Sequence, residues 1–320
     1  MRFHAYRNYP EDIVDAVFIG TSGVDRYWIA AKAYEEYGMT VYPLATDAMP
    51  AWLYPNVIEY ALTYQNPQFL ILDVRAFTQV NDADSMDVRA RRVLDSMQTF
   101  SPVWFKTAFK SMEMIHSVDE SRARFDISLL LSFVRFHDSW ESMGPGFFAE
   151  NLGYYTHEYN GFFVSPSLSG NIEAQQPQKR SDYAEPIESL SLQALYDVLA
   201  LAEEKEIKVL FVDTPQFQDE LEMLRSNYLY DLLNQMGIDC LNWYTDEPDG
   251  SFSIALDPER HFYNAGHVNF YGAEVFTEDF AAYINEHYPL PDRRNDEAVK
   301  ELWDGVYEEI CAVVSTYVYE

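Results

Sequence analysis

Two segments at opposite ends of the chain carry side chains that could do chemistry together. Gly20-Thr21-Ser22-Gly23 closes a short apolar run, and Gly266-His267 lies just ahead of a helical pattern. A serine hydroxyl is a weak nucleophile until a base within hydrogen-bond reach removes its proton, and histidine is the commonest such base. Thr21 and Gly23 flank the serine in a turn where backbone N–H groups can face a developing oxyanion. Each residue also has a plainer reading. Ser22 can be a helix N-cap, and His267 a solvated residue of a capping loop. The GTSG turn lacks the GxGxxG spacing and the helix-opening lysine of phosphate loops, which disfavours a nucleotide. His261 and His267 could share a metal, but their spacing matches no strong ligand motif, so no metal and no organic cofactor is expected.

Such side chains meet only if the chain is folded back on itself, and the pattern between them predicts how. Asp15–Gly20 is a short apolar run ending in glycine, which predicts a buried strand. Val24, Tyr27, Trp28, Ala31 and Tyr34 recur at helical spacing up to Gly38, a C-cap. Further strands are predicted at Thr40–Leu44, Phe69–Val74, Ile207–Val212 and Gly237–Leu241, with helices at Pro50–Tyr64, from Pro186 and to Met236. The β-α-β-α-β order implies an α/β fold, doubly wound, with a mainly parallel five-stranded sheet. Residues 84–136 read as helical throughout, with one apolar stripe through Trp104, Ala108 and Met112 and another through Leu130, Phe133, Val134 and His137. With the polar loop that follows, 84–182 reads as a helical and loop insertion, and 289–320 as a C-terminal helical extension carrying one amphipathic helix. Residues 1–320 thus read as a single domain. Ligands of open parallel sheets bind beyond the carboxyl ends of the strands, where Ser22, Arg75 and Asp213 fall.

Composition narrows the function classes. The chain has 320 residues, 48% of them hydrophobic, enough for a packed core. Lys and Arg number 22 against 52 Asp and Glu, a net charge of −30. So acidic a chain is a poor partner for nucleic acid or anionic lipid, whose phosphates require a basic face. Cys240 and Cys311 are its two cysteines, which excludes a disulfide scaffold and a cysteine-based zinc or iron–sulfur site; they could form one bridge, but two buried free thiols are expected. No apolar run approaches the ~18 residues of a membrane helix, and the N-terminus has no signal-peptide core.

Several blocks together make the chain resemble an SGNH/GDSL-type hydrolase, in particular a bacterial subfamily associated with cell-surface polysaccharides. They are Val17-Phe18-Ile19-Gly20-Thr21-Ser22 and Asn264-Ala265-Gly266-His267-Val268-Asn269-Phe270-Tyr271-Gly272-Ala273, with echoes at Arg135–Trp140, Tyr159–Phe162 and Leu290–Arg294. The resemblance implies a flavodoxin-like SGNH fold with Ser22 as nucleophile and His267 as base. It also exposes departures. The family's acid, three residues before the histidine, is Asn264 here, with Asp257 the nearest alternative orienting acid. The residue after the serine, usually histidine, is Gly23. The block that normally supplies an oxyanion-hole glycine reads Leu44-Ala45-Thr46-Asp47, and the block that supplies an asparagine reads Asp73-Val74-Arg75. Arg75 could serve as a cationic oxyanion donor, but an ion pair with Asp73 is the expected arrangement. Asp213 either lines the pocket or forms a turn.

The function implied is a serine-dependent acyl-ester hydrolase or O-acyltransferase, acting on an acylated carbohydrate or small ester. A catalytically impaired binding or assembly protein of the cell envelope is the alternative, and a flavodoxin-like cofactor binder, visible in an optical spectrum, a further one. Relatives of this type carry a membrane segment just before the first strand. An upstream anchor and an extracytoplasmic location are therefore expected, or a cytoplasmic one if Met1 is the native start.

Overall fold

A computed structural model describes residues 2–131, 159–165, 183–245 and 252–317. Five parallel strands form one sheet: β1 Ala16–Gly20, β2 Val41–Ala45, β3 Phe69–Asp73, β4 Lys208–Asp213 and β5 Cys240–Asn242. Their order is β2-β1-β3-β4-β5, the doubly wound order of flavodoxin-like folds. The chain moves from β1 to one side, then returns to the other, so the switch point lies between β1 and β3. The register aligns the carboxyl ends: Gly20 opposes Ala45, Ile19 opposes Leu72, and Asp73 opposes Val212. Strands β1, β2 and β3 are buried along their whole length. Sheets covered on both faces need such continuous apolar runs, which is why these strands are readable in the sequence.

Helices cover the sheet on both faces. The N-terminal half supplies α1 Arg2–Asn8, α2 Ser22–Asp25, α3 Ala30–Tyr37, α4 Tyr54–Tyr64, α5 Arg75–Thr78, α6 Ala83–Ser96, α7 Pro102–Val118 and α8 Ile127–Leu130. The C-terminal half supplies α9 Ser189–Glu204, α10 Glu220–Gln235, α11 Pro258–His261, α12 Phe270–His287, α13 Glu297–Trp303 and α14 Val306–Val314. A short hairpin, β6 Phe262–Asn264 with β7 His267–Val268, precedes α12. On one face Phe280 of α12 packs edge-on to Phe18 and Trp28, with ring centroids 5.7 and 5.4 Å apart. On the other, Phe77 stands between Tyr54 and Phe211, at 5.3 and 5.8 Å. Trp303, fully buried, joins the C-terminal extension to Tyr34 at 5.6 Å.

The structure departs from the sequence reading in several places. The helix expected through 24–37 is two helices, because the backbone leaves the helical region at Ile29, whose N–H donates to Thr277 Oγ1 at 2.9 Å. The region 84–136 is not helical throughout: α6 and α7 are separated by a turn in which Ser101 caps α7. The helix expected through 299–317 is broken at Gly305, whose positive φ of 75° suits glycine. The structure adds an N-terminal helix, α1, that the sequence pattern does not predict. Cys240 and Cys311 form no disulfide among the described residues, and both are half-buried rather than buried. The segments Arg135–Trp140 and Gly170–Asp182, and Phe133, Val134 and His137 of the second stripe, lie outside the described residues. No helix among the described residues is long and apolar enough to cross a membrane.

Gly20 decides how closely β1 and β3 approach at their carboxyl ends. A Cβ there would sit 2.3 Å from Asp73 Cβ and 2.5 Å from Val24 Cγ2. Neither neighbour can withdraw without moving the turn that carries Ser22. Gly20→Ala is therefore expected to cost about 1–3 kcal/mol of stability by urea unfolding. A variant as stable as the wild type would contradict this close approach.

Candidate active site

Ser22 is the first residue of α2, and Thr21 is its N-cap. Thr21 is what holds the turn. Its Oγ1 accepts the Gly23 N–H at 3.2 Å and donates to Asp73 Oδ2, and its N–H donates to the same oxygen at 3.0 Å. The other oxygen of Asp73 accepts the Arg75 N–H at 3.0 Å. Asp73 is fully buried. Burial raises its pKa, against which the Arg75 guanidinium and the Thr21 donors act. The carboxylate thus ties the end of β1 to the start of α5. The plainer reading of Ser22 as a cap does not describe it, because Thr21 does the capping.

His267 begins β7, and its Nε2 lies 2.7 Å from Ser22 Oγ. Its Nδ1 lies 2.9 Å from Asn264 Oδ1. The tautomer follows from a third contact. The Gly266 N–H donates to Asn264 Oδ1 at 3.0 Å, and an N–H can only donate. The asparagine atom in that position is therefore its carbonyl oxygen, so His267 Nδ1 carries the proton. Nε2 is left with its lone pair toward Ser22, the arrangement general-base activation requires.

The loop that carries His267 is fixed from two sides. The Gly266 carbonyl accepts from Arg75 Nη1 at 3.0 Å and from the Tyr27 hydroxyl at 3.2 Å. Asn269 caps α12 by accepting the Gly272 N–H at 3.1 Å, and a Cβ at Gly272 would meet the His261 carbonyl at 2.3 Å. Those two members of the block are thus explained by helix packing. Asp257 is placed elsewhere: its carboxylate caps α11 through the Glu259 N–H at 2.9 Å. His261 Nδ1 accepts the Asp257 N–H, also at 2.9 Å, so neither residue faces Ser22. No group of three metal-ligating side chains occurs among the described residues.

Arg75 does not form the expected ion pair with Asp73. Its backbone satisfies Asp73, while its guanidinium reaches across to Gly266. It fills the space that side chains at Gly23 and Gly266 would need, since a Cβ at Gly23 would lie 2.8 Å from Nη1 and one at Gly266 3.2 Å from Nη2. Arg26 is linked to the histidine through Tyr263. It donates to the Tyr263 hydroxyl, and the Tyr263 ring stacks on His267 with centroids 5.6 Å apart. Sequence reasoning missed Arg26, Tyr27 and Tyr263. The one available signal was position, four residues after Ser22 for Arg26 and four before His267 for Tyr263. Burial, with Arg75 and Arg26, pushes the His267 pKa down to about 3.

Asp213 ends β4 on the same side but faces another space. Its carboxylate accepts from Gln218 Nε2 at 3.2 Å and from the Ser226 hydroxyl, beside a cavity of about 10 Å³ that has room for one water. Burial, with Asp73 nearby, pushes its pKa up to about 6.

No protein-family model matches the chain, and no curated protein matches it at significant similarity.

The depressed histidine has a pH consequence. In the unfolded chain the imidazole titrates near its ordinary value of about 6.5. Between that value and about 3 the unfolded chain binds the extra proton. The stability contributed by neutral His267 is therefore complete above about pH 6.5 and lost as pH falls toward 3. By NMR, the His267 ring of the wild type is expected to stay neutral at pH 5. Asn264→Asp, which puts a negative charge on Nδ1, should raise its titration. A wild-type ring titrating near 6.5 would contradict this electrostatic picture.

Proposed function

We propose that Ser22, His267 and Asn264 form an acyl-transfer centre, and that the protein is a serine-dependent acyl-ester hydrolase or O-acyltransferase of the SGNH type. The observation that carries this reading is the chain of contacts from Ser22 Oγ through His267 to Asn264 Oδ1, at 2.7 and 2.9 Å, in the tautomer that can accept the serine proton. The substrate proposed from the family resemblance is an acylated glycan or a related ester.

In this mechanism Ser22 Oγ attacks the ester carbonyl while His267 Nε2 takes its proton. The imidazolium then gives that proton to the departing alkoxide, and a water or a second alcohol repeats the sequence on the acyl-serine. The oxyanion needs donors. The Gly23 N–H is engaged by Thr21 Oγ1, whereas the Ser22 N–H, the first of its helix, has no partner within it. That N–H and the Arg75 guanidinium are the donors the turn offers. Asn264 orients the ring but carries no charge to stabilise the imidazolium. In a serine protease the corresponding aspartate-to-asparagine change lowers kcat by about 10⁴. Slow turnover is therefore expected of the wild type, and the neutral Asn264 is also what favours the second reading, a binding protein with an impaired centre.

A fluorophosphonate probe should label Ser22 in the native protein and not in the denatured one. Ser22→Ala and His267→Ala should each abolish hydrolysis of short-chain aryl esters while the protein still folds, as far-UV circular dichroism would show. The two losses should not add in the double variant, because the residues act as a unit. Substantial turnover by either single variant would remove these residues from the mechanism. No labelling and no turnover by the wild type would favour the binding protein.

A further inference from the structure

A neutral Asn264 holds the His267 ring weakly. A carboxylate in its place would accept a charge-assisted bond, roughly twice as strong as the neutral one that Asn264 Oδ1 makes with Nδ1–H at 2.9 Å. Rotation of an imidazole about its Cβ–Cγ bond is soft, and one neutral bond at one edge restrains it poorly. A flipped ring would turn Nε2 away from Ser22 Oγ. The plane needs a second restraint.

The Tyr263 ring lies against the face of the imidazole, with centroids 5.6 Å apart and planes 9° from parallel. Offset stacking of this kind is attractive and opposes rotation of either ring. Filling the core does not account for Tyr263. Phe262, the residue before it on β6, is fully buried against Phe217 at 4.9 Å, whereas Tyr263 is only half-buried. A half-exposed ring needs an anchor, and its hydroxyl has one. Arg26 donates to it, the one hydrogen bond of the Tyr263 side chain among the described residues. Arg26 is held in turn. Its guanidinium pairs with Asp47 at 3.3 Å and lies over the Phe163 ring, 4.8 Å from the centroid.

The two ends of this clamp sit on the two catalytic segments. Arg26 is the C-cap of α2, whose first residue is Ser22. Tyr263 lies on the strand that pairs with the His267 strand in the β6–β7 hairpin. The clamp therefore runs from the helix that carries the serine to the hairpin that carries the histidine. It does so without Arg75, whose bond to the Gly266 carbonyl starts from the end of β3.

We propose that Tyr263, clamped by Arg26, is the positioning residue that keeps the His267 ring turned with Nε2 toward Ser22. The proposal rests on Ser22 and His267 being the acyl-transfer centre. Both residues act through the imidazole and not on the reacting atoms. A phenol that accepts from a guanidinium carries no charge to stabilise the imidazolium, so the clamp supplies orientation alone.

Two variants separate its parts. Tyr263→Phe keeps the stacked ring and loses the bond to Arg26, and Tyr263→Leu loses both. With 4-nitrophenyl acetate, kcat/KM is expected to fall about tenfold in the first, the worth of one hydrogen bond to a charged group, and further in the second. The ring nitrogens give a readout that loosened packing alone would not move. In nitrogen NMR at pH 7 the wild-type His267 is expected to be a single tautomer with its proton on Nδ1. Tyr263→Phe should keep that tautomer, while Tyr263→Leu should show the Nε2–H form as well. Wild-type ring shifts in Tyr263→Leu, or a kcat/KM in Tyr263→Phe equal to that of the wild type, would overturn the proposal. Should Tyr263→Leu fail to fold, the rate of Tyr263→Phe decides. Absence of esterase activity in the wild type would instead count against the catalytic reading, and the ring nitrogens of Tyr263→Leu would still decide the clamp.

Discussion

One buried carboxylate organises the site. Asp73, at the end of the central strand β3, receives the N–H and the hydroxyl of Thr21 on one oxygen and the N–H of Arg75 on the other. The turn that presents Ser22 and the turn that presents Arg75 are thereby joined at the switch point of the sheet. The contact is possible only because position 20 has no side chain. From there the constraint passes along Arg75 to the Gly266 carbonyl and so to the loop that carries His267. Two segments separated by 245 residues are in this way held within a hydrogen bond of each other.

The electrostatics around Ser22 and His267 bear directly on the proposed acyl transfer. A carboxylate behind the histidine would favour the imidazolium that forms as the serine attacks. Here a neutral amide stands behind it, and two guanidiniums stand near it. Burial and those cations make neutral His267 a weak base, with its pKa pushed down to about 3. The same arginines are well placed to act on a negative charge. Arg75 lies against Gly23, next to the point where the oxyanion of the attacked carbonyl would form. In the proposed mechanism this arrangement would trade base strength for stabilisation of the anion.

Much of this was legible in the sequence, and the limits have physical causes. The first three strands could be read because strands buried on both faces must be continuously apolar. The serine turn and the histidine loop could be read because each combines a reactive side chain with glycines that permit tight turns. The break before α3 could not, since the apolar spacing of Val24, Tyr27 and Trp28 continues across it. What breaks that helix is the bond from the Ile29 N–H to Thr277, 248 residues away. The role of Arg75 was misjudged for a similar reason. Proximity to Asp73 suggested an ion pair, but two residues apart in a turn it is the backbone N–H that meets the carboxylate. The side chain is free to reach a loop 191 residues distant. Asp257 looked able to orient His267, yet an aspartate directly before Pro258 caps the short helix that follows.

The central claim is that Ser22 is a nucleophile made competent by His267, and its most direct measurement is the covalent intermediate. The protein would be mixed with 4-nitrophenyl acetate, quenched in acid within the first turnover and digested, and its peptides weighed. The account predicts one added acetyl group, on the peptide that contains Ser22, and none in the His267→Ala variant. An acetyl group on another residue, or an unmodified Ser22 peptide while 4-nitrophenol is being released, would contradict it.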